Sequence, residues 1–152
     1  MKTKLGLYAG SFDPFHVGHL DVVNQAKAVF DVVLVAKGIN PTKFDKGITT
    51  RYPLPEGFLA SLGVHTASYN TLVVDQVKKL EEEYDVTIVR GLRNGADLEY
   101  EQNFVAFVKG MYPSIKIVAF YCDPKFRHIS SSSLRDIEKF SKEEYRKYVV
   151  AD

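Results

Sequence analysis

Short apolar segments alternate with amphipathic segments along most of the chain, and this alternation limits the possible folds more than any other feature. The apolar segments have the length and near-continuous hydrophobicity of strands buried on both faces of a parallel sheet. We predict five strands, at Leu5–Ala9, Val32–Ala36, Val64–Tyr69, Val86–Val89 and Ile115–Phe120. Apolar residues recur between them at helical spacing, as in Leu20, Val23, Ala26 and Phe30, and again in Phe104, Val105, Val108 and Met111. The sequence therefore predicts an α/β fold, a Rossmann-like, doubly wound, five-stranded parallel sheet with helices on both faces.

The length of the chain fits one domain. With 152 residues, 45% of them hydrophobic, the chain can build one sizeable core, and two domains would be crowded. We therefore expect a single domain over residues 1–152. The segment Gly38–Gly63 fits the alternation worst because its prolines interrupt any long helix. We predict a long loop there, with one short helical turn at Phe58–Leu62.

Charge and cysteine content exclude several classes of protein. Lys and Arg number 20 against 19 Asp and Glu, a net charge of +1, which argues against a generally basic surface that coats nucleic acid. The single cysteine, Cys122, cannot form an internal disulfide and suits a reducing compartment. The apolar run after Met1 is too short for a signal-peptide core or a membrane span. We expect a cytoplasmic protein with neither nucleic acid nor membrane as a partner.

The stretch GSFDPFHVGH, residues 10–19, follows the first predicted strand directly. Gly10 would let the phosphate of a ligand approach the backbone at the strand end. His16 and His19 flank the start of a helix, where free N–H groups and the positive end of the helix dipole attract anions. The residues alone fit a phosphate site, and they fit equally a tight turn with two histidines that only cap the helix or lie on the surface.

A second polar stretch, ISSSSLR, occupies residues 129–135 near the end of the sequence. One serine would be enough to cap a helix, whereas several hydroxyls together with free N–H groups can hold a triphosphate. Arg135 lies one turn further on, where it either adds to the positive field or lies on the surface. The spacing leaves both alternatives open.

These two stretches together resemble the HxGH and ISSTxxR motifs of the nucleotidylyltransferase superfamily, with Ser132 in place of the usual Thr. Members transfer a nucleotidyl group from ATP or CTP to an acceptor that carries a phosphate or a hydroxyl group. Between the two stretches, the segments RGLR and ADLEYE, within residues 90–101, closely resemble the corresponding segments of bacterial phosphopantetheine adenylyltransferases. Lys43, in the loop after strand two, also matches a lysine of that family.

The sequence departs from this family at three places. Ser11 replaces the usual Thr, and His16 stands where the family has Thr or another small polar residue. From residue 46 to about residue 69, the family has a helix with a Glu-Glu-Arg run. This chain instead has Pro53 and Pro55, which are incompatible with a normal helix between residues 49 and 57.

The resemblance implies a reaction in which the phosphate of 4′-phosphopantetheine attacks the α-phosphorus of ATP in line, without a covalent enzyme intermediate. Dephospho-coenzyme A and pyrophosphate are the products. The resemblance implies that His19 is the catalytic contact and that Mg²⁺ is carried with ATP rather than held by a protein site. It also implies that the protein is a homo-oligomer, by resemblance a hexamer. The acceptor contacts it implies are Ser11, Lys43, Val73 and Arg90. The ATP contacts it implies are Ser11, Phe12, His19, Gly91, Leu92, Arg93, Glu101, Phe126, Arg127, His128, Ile129, Ser130, Ser131 and Ser132.

Two other functions are compatible with part of these sequence motifs. A nicotinamide mononucleotide adenylyltransferase or a cytidylyltransferase would carry both motifs, but the block at residues 90–101 argues against these. A non-catalytic nucleotide-binding paralogue is made conceivable by the unusual segment at residues 51–57. The presence of His19, Lys43 and Arg90 argues against it, because a site without activity would have no chemical need for all three.

Overall fold

The computed structural model describes residues 1–40 and 51–152, where strands and helices alternate as the sequence predicts. The strands are β1 (Thr3–Gly10), β2 (Val32–Gly38), β3 (His65–Tyr69), β4 (Tyr84–Leu92) and β5 (Lys116–Tyr121). The α-helices of the described residues are α1 (Val17–Lys27), α2 (Glu56–Ser61), α3 (Val73–Leu80), α4 (Gly95–Met111), α5 (Ser131–Phe140) and α6 (Lys142–Arg146). A 3₁₀ turn, Pro124–Phe126, precedes α5. None of the described helices has the length and apolar character that crossing a membrane requires.

All five strands are parallel and lie in the order β3-β2-β1-β4-β5. The chain thus builds the sheet outward from β1, first through β2 and β3 and then, on the other side, through β4 and β5. Leu7 in the central strand lies opposite Leu34 of β2 and Ile88 of β4. The predicted doubly wound α/β fold is confirmed, and its strand order reverses between β1 and β4.

The two faces of the sheet carry separate apolar clusters because side chains alternate along each strand. On one face, Leu5 and Leu7 pack with Val77 of α3 and Val108 of α4. On the opposite face, Tyr8 and Val35 pack with residues of α1, including Val22, Val23 and Ala26, and with Leu59 of α2. Helices on both faces are therefore also confirmed.

β4 extends beyond its predicted end at Val89, through Arg90 and Gly91 to Leu92. These residues pair in register with Ala119, Phe120 and Tyr121 of β5. The hydrophobic pattern stops at Val89 because the side chain of Arg90 leaves the apolar core for a cavity. Pairing with a strand distant in sequence continues β4 where the local pattern ends.

The segment after β2 contains the predicted short helical element. Helix α2 begins at Glu56, two residues before the predicted turn, with Pro55 at its N-cap. Proline is compatible with a helix start, since the first N–H groups of a helix have no partner within the helix. Our prediction that no helix occurs between residues 49 and 57 was therefore wrong for Glu56 and Gly57. Residues 51–55 are not helical, and residues 41–50 lie outside the described part of the chain.

Candidate active site

A cavity of about 600 Å³ opens at the carboxyl ends of β1 and β4, where the strand order reverses. Parallel α/β sheets commonly bind ligands at this position, because the loops that follow the two strands diverge and leave a crevice. The cavity is lined by the ends of both strands and by the first turns of α1, α4 and α5.

The connection between β1 and α1 begins with a strained turn, Ser11 to Asp13. Phe12 has a φ of 48°, in the left-handed region, which costs a non-glycine residue about 1–2 kcal/mol. Its ring is buried, lying 5.0 Å edge-on from the ring of Tyr8 and 5.4 Å from that of Phe15. This aromatic packing offsets the strain and keeps the turn at the cavity wall.

Lys37, near the end of β2, lies under this turn and is only 3% exposed. Its Nζ donates to the carbonyl oxygen of Ser11, to that of Phe12 at 3.3 Å and to Asp13 Oδ1 at 2.5 Å. Lys37 lies outside both sequence motifs and was not predicted as a site residue. A lysine that follows the continuous apolar run VVLVA was the available signal, because a buried ammonium group requires polar partners.

The two histidines of the first motif cap α1. His16 is the N-cap residue, and its Nδ1 accepts a hydrogen bond from the backbone N–H of Gly18 at 3.0 Å. The Nδ1 atom of His19 accepts from the backbone N–H of His16 at 3.1 Å, and the two rings stack 3.7 Å apart. Because each Nδ1 is an acceptor, a neutral ring carries its proton on Nε2. Capping and a cavity position are thus compatible, since both histidines also line the cavity.

Both imidazoles are neutral near pH 7. Burial, reinforced by the charge of Arg93, lowers the pKa of His16 to about 4. Burial also holds the pKa of His19 well below its ordinary value of 6.5, with smaller contributions from His16, Arg93 and Lys37. The histidines therefore offer hydrogen-bond donors to the cavity and no formal charge.

Arg90 supplies a fixed positive charge from the end of β4. Its Nε and Nη2 donate to the two carboxylate oxygens of Glu101 at 2.7 and 2.8 Å, and its Nη1 donates to the carbonyl oxygen of Ala9 at 2.9 Å. The guanidinium carbon also lies 4.2 Å from the ring centroid of Phe104. Burial alone would lower the pKa of Arg90, but the bonds to Glu101 raise it, so the side chain stays charged. One hydrogen on each terminal nitrogen has no partner in the described part of the chain and can donate to a ligand.

Arg93 repeats this arrangement three residues later. It forms a bidentate pair with Asp97, at 2.9 and 3.0 Å, and donates from Nη1 to the carbonyl oxygen of Ile129 at 2.9 Å. Burial raises the pKa of Asp97, but the hydrogen bonds from Arg93 outweigh it and bring the pKa below its ordinary value. Asn94 caps α4 by accepting from the backbone N–H of Asp97. Arg93 thus connects the start of α4 to the segment that leads into α5.

The serine motif begins α5 and contacts the turn of the histidine motif directly. Ser130 and Ser133 form a reciprocal capping box, with bonds of 3.1 and 3.2 Å between side chain and backbone. Ser131 Oγ donates to the carbonyl oxygen of Pro14 at 3.0 Å, and Arg135 Nη1 donates to that of Asp13 at 2.6 Å. The two motifs, distant in the sequence, therefore form one continuous wall of the cavity.

Comparisons with known proteins identify the family of this chain. Residues 7–137 match the cytidylyltransferase-like family. Phosphopantetheine adenylyltransferases of Streptococcus suis (strain 05ZYH33) and Streptococcus pneumoniae (strain Hungary19A-6) are each 36% identical to the chain, over 147 and 149 residues. Each alignment covers 94% of this chain and 88% of the relative. The chain belongs to the phosphopantetheine adenylyltransferase family. The resemblance drawn from the sequence motifs is confirmed.

More distant solved structures share the fold of this adenylyltransferase family. A protein of Vibrio parahaemolyticus assigned as a nicotinate-nucleotide adenylyltransferase superposes with a TM-score of 0.58 and 15% identity, over 99% of this chain and 88% of its own. Pantoate-beta-alanine ligase of Francisella tularensis has the same TM-score and 17% identity, over 92% and 66% of the two chains. At such low identity these likenesses concern the fold alone.

The structure brings together most of the residues that resemblance to the adenylyltransferase family selected. Those that line the cavity are Ser11, Phe12, His19, Arg90, Gly91, Arg93, Glu101, Ser130, Ser131 and Ser132. Those that do not line it are Leu92, Val73, Phe126, Arg127, His128 and Ile129. Val73 packs against the apolar cluster under α3 and α4, and Ile129 contributes its carbonyl group to Arg93. Lys43 lies outside the described residues.

Further residues line the cavity without having been selected from the sequence, and they include Tyr8, Tyr69, Asp97, Tyr100, Phe104 and Cys122. Most are apolar or aromatic, and the hydrophobic pattern of the sequence does not distinguish them from ordinary core residues. Only their position at strand ends and in the first turns of α4, which the fold determines, brings them to the site.

Proposed function

We propose that residues 1–152 form one catalytic domain that transfers the adenylyl group of ATP to 4′-phosphopantetheine, giving dephospho-coenzyme A and pyrophosphate. The observation that carries this proposal is the direct contact between the two motifs. The bonds from Ser131 to Pro14 and from Arg135 to Asp13 join the histidine turn and the serine helix around one cavity of about 600 Å³. Family membership favours phosphopantetheine as acceptor over nicotinamide mononucleotide or a cytidylyl transfer.

The chemistry requires positioning and stabilisation of charge rather than a base. An ionised acceptor phosphate attacks the α-phosphorus in line, so no proton has to be removed and no covalent enzyme intermediate forms. In our proposal His19 donates a hydrogen bond from Nε2–H to the α-phosphate, whose oxygens gain charge in the transition state. The acceptor bond at Nδ1 of His19 and its lowered pKa support this protonation state.

Arg90 is the proposed contact for the acceptor phosphate, together with Ser11 and Lys43. Two hydrogens of Arg90 have no partner in the described residues, and its pairing with Glu101 fixes their direction. In this proposal Glu101 orients Arg90, in addition to the ATP contact that the resemblance implies. Val73 as a contact of the pantetheine arm stays a prediction from the resemblance.

The start of α5 is the proposed site for the phosphates of ATP, through Ser130 to Ser132 and the free N–H groups of the first turn. Gly91, Leu92, Arg93 and residues 126–129 complete the ATP contacts that the resemblance implies. Residues 1–40 and 51–152 contain no group of three side chains placed to hold a metal ion, and the carboxylate of Asp13 pairs with Lys37. In our proposal Mg²⁺ is carried by the ATP phosphates, where it would neutralise charge on the leaving pyrophosphate.

A homo-oligomer, by resemblance a hexamer in the cytoplasm, is the proposed state of the protein. Helix α4 presents three large apolar side chains at helical spacing, Tyr100, Phe107 and Met111, which are 67%, 75% and 45% exposed. We define these three residues as the α4 stripe. Such a row on one helix face is typical of a surface that packs against another protein, and in this proposal the α4 stripe packs against a second copy of the chain.

Pyrophosphate release from ATP, with different acceptors supplied, tests the activity. We expect turnover with 4′-phosphopantetheine and none with nicotinamide mononucleotide or glycerol phosphate. His19→Ala should lower kcat by about 100-fold or more while leaving ATP affinity nearly unchanged, because the lost bond belongs to the transition state. The matched control is His65→Ala, since His65 lies exposed on β3.

Turnover with nicotinamide mononucleotide alone would overturn the assignment of the acceptor. Failure to turn over any of the three acceptors, with ATP still bound, would favour a non-catalytic paralogue. A near-normal rate for His19→Ala would remove His19 from the mechanism.

A further inference from the structure

The charge of Lys37 has no role in the reaction proposed above, although the residue is almost fully buried. Lysine is seldom buried to this extent unless it is paired, and an apolar side chain of similar length would fill the volume without the cost of removing a charge from water. The position at the end of a core strand therefore gives no reason for a lysine. The reason must lie in the groups that its ammonium contacts.

Those groups come from three consecutive residues of one turn. Nζ of Lys37 donates hydrogen bonds to the carbonyl oxygens of Ser11 and Phe12 and to the carboxylate of Asp13. Successive carbonyl groups point in opposite directions in an extended chain, and the left-handed backbone at Phe12 lets both turn toward one cation. Lys37 thus stabilises the strained conformation of the turn directly.

The Ser11–Asp13 turn forms the wall against which His19 packs. The ring of Phe12 lies 4.9 Å from that of His19, at an interplanar angle of 89°. Arg135 Nη1 also donates to the carbonyl oxygen of Asp13. The Ser11–Asp13 turn is therefore held between a buried cation from the sheet and a guanidinium from α5.

We infer that Lys37 is a positioning residue: it fixes the Ser11–Asp13 turn and, through the ring of Phe12, holds His19 in place for the transfer. Lys37 does not line the cavity. This inference rests on the proposed adenylyl transfer and adds to it a residue outside both motifs.

The kinetic test compares Lys37→Met with Lys116→Met. Lys116 is a matched control because it also lies on a strand and pairs with an aspartate, Asp85, but on the exposed opposite end of the sheet. Lys37→Met should lower kcat by about 30- to 100-fold, the loss expected for a misplacement near 1 Å, while KM for ATP changes less than about threefold. Lys116→Met should leave both constants within about twofold of the unaltered protein.

A double-mutant cycle with Asp13→Asn tests the pairing. Asp13→Asn keeps an oxygen acceptor and both carbonyl contacts, so we expect a smaller loss of kcat, about three- to tenfold. Lys37→Met with Asp13→Asn should be no slower than Lys37→Met alone, because the two residues act as a unit. Should Lys37→Met not fold, Asp13→Asn carries the kinetic test, and an unchanged kcat there would overturn the inference.

Ring NMR signals of His19 give a readout that needs no turnover. The imidazole proton signals depend on the nearby ring of Phe12, and the titratable groups that act on His19 are His16, Arg93 and Lys37. In Lys37→Met these signals should shift, and the pH at which His19 titrates should rise, while Lys116→Met matches the unaltered protein. If no acceptor turns over in the unaltered protein, the proposed function fails and this measurement still decides the role of Lys37.

Two results would overturn the inference. One is a folded Lys37→Met protein with kcat within threefold of the unaltered protein. The other is that the ring signals of His19 and the pH at which it titrates are the same in Lys37→Met and in the unaltered protein.

Discussion

At the residue scale, the two histidines of the first motif share a capping arrangement and differ in their surroundings. Each accepts a backbone hydrogen bond at Nδ1, but only His19 is enclosed by the rings of Tyr8, Phe12 and Phe15. Burial keeps both imidazoles neutral at pH 7. Their protonation should therefore be linked to the stability of the fold.

We expect the folded state to lose stability as the pH falls below 6.5. The pKa of His16 is about 4 in the folded protein against 6.5 for an exposed histidine, so the unfolded chain binds the proton more tightly. The contribution of His16 is complete above pH 6.5 and is lost as the pH falls toward 4, about 3 kcal/mol in total at about 1.4 kcal/mol per pKa unit. Urea unfolding over this pH range measures it.

His16→Asn isolates this effect. Asparagine is a good N-cap residue and can accept the hydrogen bond from Gly18, but it does not titrate. The variant should match the unaltered protein near neutral pH and lose about 2–3 kcal/mol less on acidification. Parallel stability curves for the two proteins would contradict the assigned pKa of His16.

The sequence predicts which residues meet at the site better than it predicts their protonation states and contacts. The motif residues are recognisable because each group is nearly contiguous in the chain. The neutral charge state of His19 depends on aromatic rings assembled by the fold, and Lys37 contacts residues that precede it by 24 to 26 positions. No local pattern contains those contacts.

At the element scale, α5 combines a structural cap with a wall of the cavity. Its first turn is closed by Ser130 and Ser133, which leaves Ser131 and Arg135 to bind the histidine turn. The sequence left the role of Arg135 open because its partner is a backbone carbonyl, which any residue at position 13 would provide. The same limit explains why the end of β4 was predicted too early, since its pairing with β5 is not local.

Arg135→Met should weaken the use of ATP. The guanidinium lines the cavity beside Ser132, where it adds positive charge for the ATP phosphates, so its loss should raise KM for ATP by about five- to 20-fold. Steady-state kinetics with varied ATP measures this, with Lys139→Met as the control one turn further along α5, where the side chain is 72% exposed. An equal effect of the two substitutions would argue for a general charge effect and against a specific contact of Arg135.

At the scale of the whole molecule, the doubly wound topology was predictable because alternating strands and helices with right-handed crossovers allow few arrangements. The exposure of the α4 stripe was not predictable from the sequence. The series Phe104, Val105, Val108 and Met111 predicted a helix correctly, but it did not separate Val108, which is buried, from Met111, which is exposed. The helix is apolar on more than its core face, and the pattern cannot tell packing within the chain from packing against another copy.

Phe107→Lys should disrupt the proposed oligomer. Phe107 is the most exposed residue of the α4 stripe, and a charge at the centre of an apolar contact would have to be buried without a partner. Light scattering coupled to size-exclusion chromatography should show a hexameric mass for the unaltered protein and a smaller one for the variant. Phe140→Lys is the matched control, since Phe140 is 91% exposed on α5, away from the stripe. A monomeric unaltered protein, or dissociation by Phe140→Lys alone, would remove the α4 stripe as the contact surface.

The neutral stacked histidines also bear on inhibitor design. Among the residues that line the cavity, Arg90, Arg93 and Arg135 carry positive charge, whereas His16 and His19 offer only uncharged imidazole donors. A synthetic inhibitor therefore gains little from an anion placed against the histidines alone, beyond the reach of the arginines, because desolvating that charge would cost more than a neutral donor returns. A compact uncharged acceptor there, such as an amide or sulfone oxygen, with acidic groups reaching only toward the arginines, matches the electrostatic layout and reduces the charge that hinders entry into cells.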